Sequence, residues 1–461
     1  MNKYRKLLKN SFIFAIGNLG SKLISFILVP FYTYVLTRSQ FGTVDIITTT
    51  VNMLLPIISL SIFDAVFRFT LDRQENKDVV LTNGVVISVI GSLVTLLLIP
   101  VLTLIKVPMP NHVYLLLVTS AFVSLFSNFV RAINQVKSFA FAGILGTLVT
   151  AITNVTFLWY LKLGIQGYLI SMIIANVAVL IFLSIRIKIF KRFSFDYLDK
   201  IVLLKMVTYS VPLIPNAFSW WINTSADRYF ILAFVGSAGN GLYAVANKIP
   251  SLLTILNQIF FQSWQMSAVE EFNSDDAEKF YSQTFNYYLS VQFLGATALL
   301  VILKPLMKII VSPNYFVAWE YIPFLLLAVI YSSLSGFLGT TYTAAKRTTG
   351  IMITTLLGAV INVLIGFLLV PFFGIQGASL AGLFSFGTVL VVRLKNTRKF
   401  MNIKVDWTKV VINHLLFIFM VASLFCIHNI LILELVLFSF GVLMLMSNYR
   451  LINVLFFRLK S

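Results

Sequence analysis

Long apolar runs separated by short polar stretches fill the chain, and their length sets the first expectation. A helix that crosses a bilayer needs about 20 mostly apolar residues. Fourteen such runs are present, near residues 11–36, 41–69, 79–105, 113–134, 139–161, 165–187, 205–235, 241–267, 281–304, 320–343, 349–371, 375–394, 409–427 and 430–448. No stretch between them is polar enough to make a soluble domain. The pattern therefore predicts an all-α polytopic membrane protein with fourteen transmembrane helices.

An internal echo divides these helices. Gly164-Ile165-Gln166-Gly167 returns as Gly374-Ile375-Gln376-Gly377, and Thr153-Asn154-Val155 upstream is answered by Ile361-Asn362-Val363. Further back, Lys137-Ser138-Phe139-Ala140 stands where Ala345-Lys346-Arg347-Thr348 stands. A repeated order at a fixed offset marks an internal repeat, whereas the glycines themselves are read as a tight turn between helices. Two basic stretches, 186–205 and 393–409, each follow a copy of the turn. They divide the chain into two pseudo-symmetric six-helix lobes, 1–195 and 196–400, and an added helix pair with a basic tail, 401–461. Lobes in the same orientation are the parallel repeats that surround a central path in alternating-access transporters.

Composition agrees with a membrane setting. Of 461 residues 59% are hydrophobic and 11% charged, against about 25% charged in ordinary soluble domains. The net charge of +19 would suit nucleic acid, but the basic residues sit in short segments between apolar runs, which is topology signalling. With a cytoplasmic N-terminus, 26 of the 35 basic residues fall on the inner side. Five fall outside (Arg38, Lys106, Lys162, Lys304 and Lys308), and four lie within spans (Lys22, Arg68, Arg228 and Lys248). The basic residues 3–9 and the apolar run after them are read as a retained first helix, since no small-residue cleavage site follows. A single cysteine, Cys426, excludes an intrachain disulfide.

Charge inside hydrocarbon is costly and by default marks a pathway. Lys22 lies deep in the first run with Asn18 on its face, and Asp45, Asp64 and Arg68 lie in the second. Asp64 and Arg68, four residues apart, have the spacing of a helical ion pair, which would serve coupling or simply anchor a helix end. The seventh run carries Trp221, Thr224, Asp227 and Arg228 after two bending prolines, Pro212 and Pro215. In the eighth, Lys248, Ser251, Gln258, Gln262 and Gln265 share one helical face, and a polar stripe in a membrane helix must face protein or water. Lys248 either lines that path or snorkels to the outer interface. Lys22, Arg228 and Lys248 are the candidate substrate-binding cations. Asn18, Trp221, Thr224, Gln258 and Gln262 are candidate polar and aromatic lining, with Asp45, Asp64, Arg68 and Asp227 for coupling or ion pairing. Rings, amides and cations together suit a sugar phosphate. No catalytic set and no phosphate-binding loop is present, and His112, His414 and His428 have no metal-ligand spacing. Neither cofactor nor metal is expected.

The arrangement of six, six and two helices, the basic amino terminus, Phe41-Gly42 opening the second helix, Asn240-Gly241-Leu242-Tyr243-Ala244-Val245-Ala246 opening the eighth, and Gly-Ile-x-Gly before the sixth and twelfth resemble a known family. It is the polysaccharide-transporter, oligosaccharide-flippase branch of the multidrug/oligosaccharidyl-lipid/polysaccharide exporter superfamily. The resemblance implies a two-lobed exporter fold and no enzymatic activity. It also implies flipping of an undecaprenyl-pyrophosphate-linked oligosaccharide across the bacterial plasma membrane, for O-antigen, capsule or exopolysaccharide. Implied partners are that lipid-linked glycan, the bilayer, and polysaccharide polymerase and chain-length machinery, with the transporter a monomer. The peptidoglycan-precursor flippases of the superfamily carry several arginines in the first two helices. Here the first has Lys22 alone, which argues against that substrate. A drug or metabolite cation antiporter of the same superfamily is the alternative, and a membrane-bound glycan polymerase or ligase a third.

The basic-residue bias makes a direct prediction. A reporter fused after Ser461 that is active only in the cytoplasm should signal, and one active only outside the cell should stay silent. The reverse pattern would refute cytoplasmic termini.

Overall fold

The computed structural model describes residues 20–449 except 73, 105–107 and 346, and every regular element among them is helical. The first repeat region comprises α1 (Gly20–Val35), α2 (Arg38–Ile58), α3 (Ile62–Leu71), α4 (Lys77–Leu96), α5 (Leu98–Leu104), α6 (Pro110–Ala132), α7 (Val136–Asn154) and α8 (Gly164–Ile187). A short α9 (Ile189–Arg192) leads to α10 (Lys200–Ser210), α11 (Leu213–Ser225), α12 (Asp227–Phe234), α13 (Ser237–Ala246) and α14 (Lys248–Glu271). The chain continues through α15 (Ala277–Val301), α16 (Leu303–Ile310), α17 (Ile322–Ala344), α18 (Thr348–Phe373), α19 (Ile375–Thr397), α20 (Trp407–Cys426) and α21 (Ile430–Ser447).

Among the described residues eleven helices are long and apolar enough to cross a membrane, or twelve if α15 and α16, bent by 60°, form one span. The protein is a multi-pass membrane protein, but by this measure the expected fourteen spans are not reached. The described part of the first run is a short helix, and α14 carries Lys248, Asn257 and Gln258, which make it too polar to qualify.

Several predicted spans are interrupted, and each interruption repairs its own backbone. The second breaks after Pro56, where Leu60 and Ser61 take left-handed conformations and the Ser61 amide donates to the Pro56 carbonyl at 2.8 Å. The seventh breaks at 211–212, where Pro212 lacks the amide that would continue the helix. Between α7 and α8 the backbone widens into a π-helix, Val155–Tyr160. The two echoed turns then behave alike. Gly164 and Gly374 both sit at φ +56°. The second glycine of each copy lies against the helix before it: a Cβ at Gly167 would stand 3.0 Å from Phe157 Cβ, and one at Gly377 only 2.5 Å from the Leu369 carbonyl oxygen. The tetrapeptide recurs because both glycines are required, one for its dihedral and one for close approach.

Two compact units result, Met1–Trp221 and Ile222–Ser461. The division lies later than the loop near 195, because α10 packs against α3 and α4 of the first unit. That unit's core joins Ile62 and Val66 of α3 to Leu81, Leu125, Phe129, Leu183 and Met206. The second unit is built on α17, α18 and α19, with Trp264 stacked on Phe337 at 4.3 Å and Phe260 on Tyr288 at 4.1 Å. The last helix pair belongs to it and packs on α15. Asn286 bonds the Lys404 carbonyl at 2.8 Å and the Asp406 amide at 2.9 Å, while Lys304 donates to the Leu424 carbonyl at 2.7 Å.

Arg393 departs from its expected place in a loop, because α19 runs on to Thr397 and buries it. Its Nε donates to Thr354 Oγ1 at 2.9 Å, Nη1 to the Ser335 carbonyl at 2.8 Å, and Nη2 to Thr355 Oγ1 at 3.0 Å. No carboxylate pairs with it among the described residues; neutral acceptors from α17 and α18 hold the charge instead. An ammonium is compact and cannot span this fork of acceptors. Arg393→Met and Arg393→Lys should therefore both lower the stability of the purified protein, by about 2–4 kcal/mol for Met with little recovered by Lys. Thermal unfolding in detergent checks this, and full rescue by Lys would refute it.

Candidate functional site

The echoed asparagines mark where each repeat buries its polar groups. Asn154, at the mouth of the π-helix, is fully buried and donates from Nδ2 to Tyr32 Oη of α1 at 2.8 Å. The Tyr32 ring packs against Tyr168 of α8 with centroids 5.1 Å apart. The Asp45 carboxylate lies near enough to act on Tyr168, and π-helical turns recur at functional sites.

Its counterpart in the second unit is charged. Asn362 of α18 is fully buried and lies beside Asp227, which opens α12 and is 5% exposed. Tyr243 of α13 donates from Oη to Asp227 Oδ2 at 3.1 Å. Arg228 holds its guanidinium 5.8 Å from the centre of the Tyr243 ring and donates from Nη1 to the Thr224 carbonyl at 3.2 Å. Gly382 of α19 lies close by, and a Cβ there would be in ordinary van der Waals contact with Asp227 Oδ2 at 3.8 Å. The break between α11 and α12 at Ala226 is what turns Asp227 inward while its neighbour Arg228 stays half-exposed. Burying a carboxylate costs several kcal/mol unless hydrogen bonds or a cation compensate it. Asp227 has a phenol, an amide and a guanidinium around it. Such a cluster can hold a proton or a small cation.

The structure thus brings Thr224, Asp227 and Arg228 together. Lys248 begins α14, half-buried, with Ser251 Oγ bonded to its carbonyl at 2.6 Å. Trp221 donates from Nε1 to the Thr49 carbonyl of α2 at 3.1 Å and stacks on Phe218. Lys22 on α1 and Asp45 on α2 are half-buried in the first unit. Asn18 and the side chain of Gln262 lie outside the described residues.

One expectation needs correction, and one buried residue was missed. Arg68 pairs with Asp72 at 3.9 Å, not with Asp64. The long side chain reaches toward the helix end and water, where Asp72 waits. Along the polar stripe of α14, Lys248 and Ser251 are half-buried and Gln258 and Gln265 exposed, while the buried polar residue of the helix is Asn257, which lies off that stripe. Asn257 bonds Ser333 of α17, Tyr288 and Gln292 of α15, the Tyr288 hydroxyl donating at 2.9 Å. Counting along one helix missed it, because the apolar residues Ile249, Leu253 and Trp264 share its buried side. The usable signal was an unpaired amide or hydroxyl inside each of three apolar runs.

The protein-family profile for polysaccharide biosynthesis protein matches residues 7–267. A protein of the Lsg locus of Haemophilus influenzae is 24% identical over 263 residues, which is 55% of this chain and 63% of that one. The chain thus spans under two thirds of the length of this curated relative. Among solved structures, the lipid II flippase MurJ in an inward closed conformation superposes with TM-score 0.71 at 13% identity, covering 98% of this chain and all of that one. An inward-facing multidrug-resistance MATE transporter of the MOP superfamily gives 0.69 at 12%, covering 82% and 94%. A MOP superfamily transporter from Pyrococcus furiosus gives 0.63 at 12%, covering 86% and 95%. These likenesses establish a fold shared with MurJ and the MATE transporters; the profile, which spans more than half the residues, establishes that the chain belongs to the polysaccharide biosynthesis protein family.

Proposed function

We propose that the protein is a flippase for a lipid-linked oligosaccharide, carried on undecaprenyl pyrophosphate, in the bacterial plasma membrane. It supplies surface polysaccharide synthesis (O-antigen, capsule or exopolysaccharide) by alternating access and performs no bond chemistry itself. Membership of a polysaccharide biosynthesis family combined with an exporter fold supports this reading. The observation that carries it is the Asp227–Tyr243–Arg228 cluster, a carboxylate and a guanidinium side by side on a broken membrane helix. A charged glycan head cannot cross hydrocarbon bare. Lys22, Arg228 and Lys248 take its phosphates, with Thr224, Trp221 and Gln258 toward the sugars. Asp227 couples the cycle to an ion. Polymerase and chain-length proteins take the product, and the transporter acts as a monomer.

A second reading, a drug or metabolite cation antiporter, draws on one observation: the buried carboxylate of Asp227. Deleting the gene and following radiolabelled lipid-linked precursor separates the two. The flippase reading expects accumulation on the cytoplasmic leaflet; unchanged leaflet distribution would refute it. In complementation, Arg228→Lys should retain more transport than Arg228→Ala, because charge survives though bidentate geometry is lost. Arg228→Glu should be worst, with transport reduced about 100-fold or more. Asp227→Asn should abolish the dependence of transport on its driving ion. Normal transport by Arg228→Glu, at wild-type membrane levels, would overturn the phosphate role of that residue.

A further inference from the structure

In the first unit a recess of about 510 Å3 opens where the end of α1, the start of α2 and the π-helix meet, lined by Tyr34, Gln40, Trp159, Lys162 and Gly164. It contains a cation, two aromatic rings and an amide, and no carboxylate. Gln40 is held in place by a capping box: its Oε1 accepts from the Thr37 amide at 3.0 Å, and its backbone amide donates to Thr37 Oγ1 at 3.2 Å. That leaves Nε2 pointing at Gly164, where a Cβ would stand 3.0 Å away, so the glycine keeps the floor open. Tyr34 Oη, Trp159 Nε1, Lys162 Nζ and Gln40 Nε2 have no protein partner among the described residues. Four donors and no acceptor acid face one space.

Lys162 is also conformationally unusual. It sits at φ +52°, a left-handed backbone that disfavours residues with a Cβ and suits glycine or asparagine. A turn alone would not select lysine there. The second copy of the repeat, 210 residues on, has Leu369 in the place of Trp159 and Phe372 in that of Lys162. The turn is duplicated, while the ring and the cation are present in one copy.

We propose that this recess is a binding site for the phosphate-bearing headgroup of a lipid in the outer leaflet. Lys162 and Gln40 meet the phosphate, and Trp159 and Tyr34 pack on the adjoining sugar or glycerol. The outer placement rests on the orientation proposed above, in which few cations face outward and Lys162 is one of them. The same chemistry fits two sources, a resident anionic phospholipid or the translocated polyprenyl carrier after it has crossed. An aromatic belt that only anchors helices at the interface would have no use for the unpaired amide or the strained lysine.

The full chain, purified and probed by native mass spectrometry with phosphatidylglycerol, phosphatidylcholine and undecaprenyl phosphate, tests this. Lys162→Gln keeps the backbone demand and removes the charge. It should leave the melting temperature unchanged and weaken retention of an anionic lipid about tenfold relative to phosphatidylcholine, with Lys162→Arg restoring it. Loss confined to undecaprenyl phosphate assigns the site to the carrier; loss of phosphatidylglycerol assigns it to phospholipid. Unchanged retention of both in Lys162→Gln and Trp159→Leu overturns the site. Leaflet transport measured in parallel keeps the readings apart. Lysine-dependent retention without any glycan transport would refute the flippase and leave the recess, whereas normal transport with charge-independent retention would refute the recess alone.

Discussion

Hydrocarbon offers no hydrogen-bond partner to a peptide group, and the chain is organised by that constraint. An unpaired backbone amide or carbonyl in lipid costs several kcal/mol, so helices are the default and every departure from them must be repaired on the spot. The departures here are local. Ser61 turns back to the Pro56 carbonyl, the π-helix keeps its amides paired at a wider pitch, and the two glycine turns close on the helix ends before them. Polar side chains gather at these interruptions. Asn154 enters the π-helix, and Asp227 follows the break at Ala226.

The two repeats solve the same packing problem with different chemistry. Each buries an asparagine from corresponding sequence and sets it against a tyrosine-bearing cluster. In one unit the partners are Tyr32 and Tyr168; in the other they are Asp227, Tyr243 and Arg228. The duplicated scaffold thus carries a carboxylate and a guanidinium beside this asparagine in the second unit and a tyrosine pair beside it in the first, as expected when fold and function are separable. Position in the repeat reports where a polar group must go, and residue type reports what it can do there.

Much of the architecture was legible in the sequence because apolar length and glycine turns act locally. The echoed tetrapeptide read as a tight turn and Pro212 with Pro215 as a bend, whereas the close approach of the second glycine became visible only in the packing. Pairings across helices were not legible. Arg393 looked like the first residue of a loop, and only the packing of α17 and α18 shows its acceptors 38 to 58 residues away. Asn257 was hidden for the same reason, its partners lying on two other helices. Arg68 was assigned to Asp64 by spacing, yet a long cation near a helix end follows water. Local periodicity constrains which side of a helix is apolar; it does not say which neighbour occupies that side.

The last helix pair is fastened at both ends of α20, by Asn286 gripping the linker before it and by Lys304 capping the Leu424 carbonyl at its far end. Lys304 also lies 4.2 Å from the centre of the Trp319 ring, so this second fastening is shared with the segment leading into α17. A peripheral hairpin in lipid needs only one hinge to stay attached, and two fastenings make it inseparable from its host. The helix pair and α15 thus form one mechanical unit, in which a change to Asn286 or Lys304 is felt at both ends of α20.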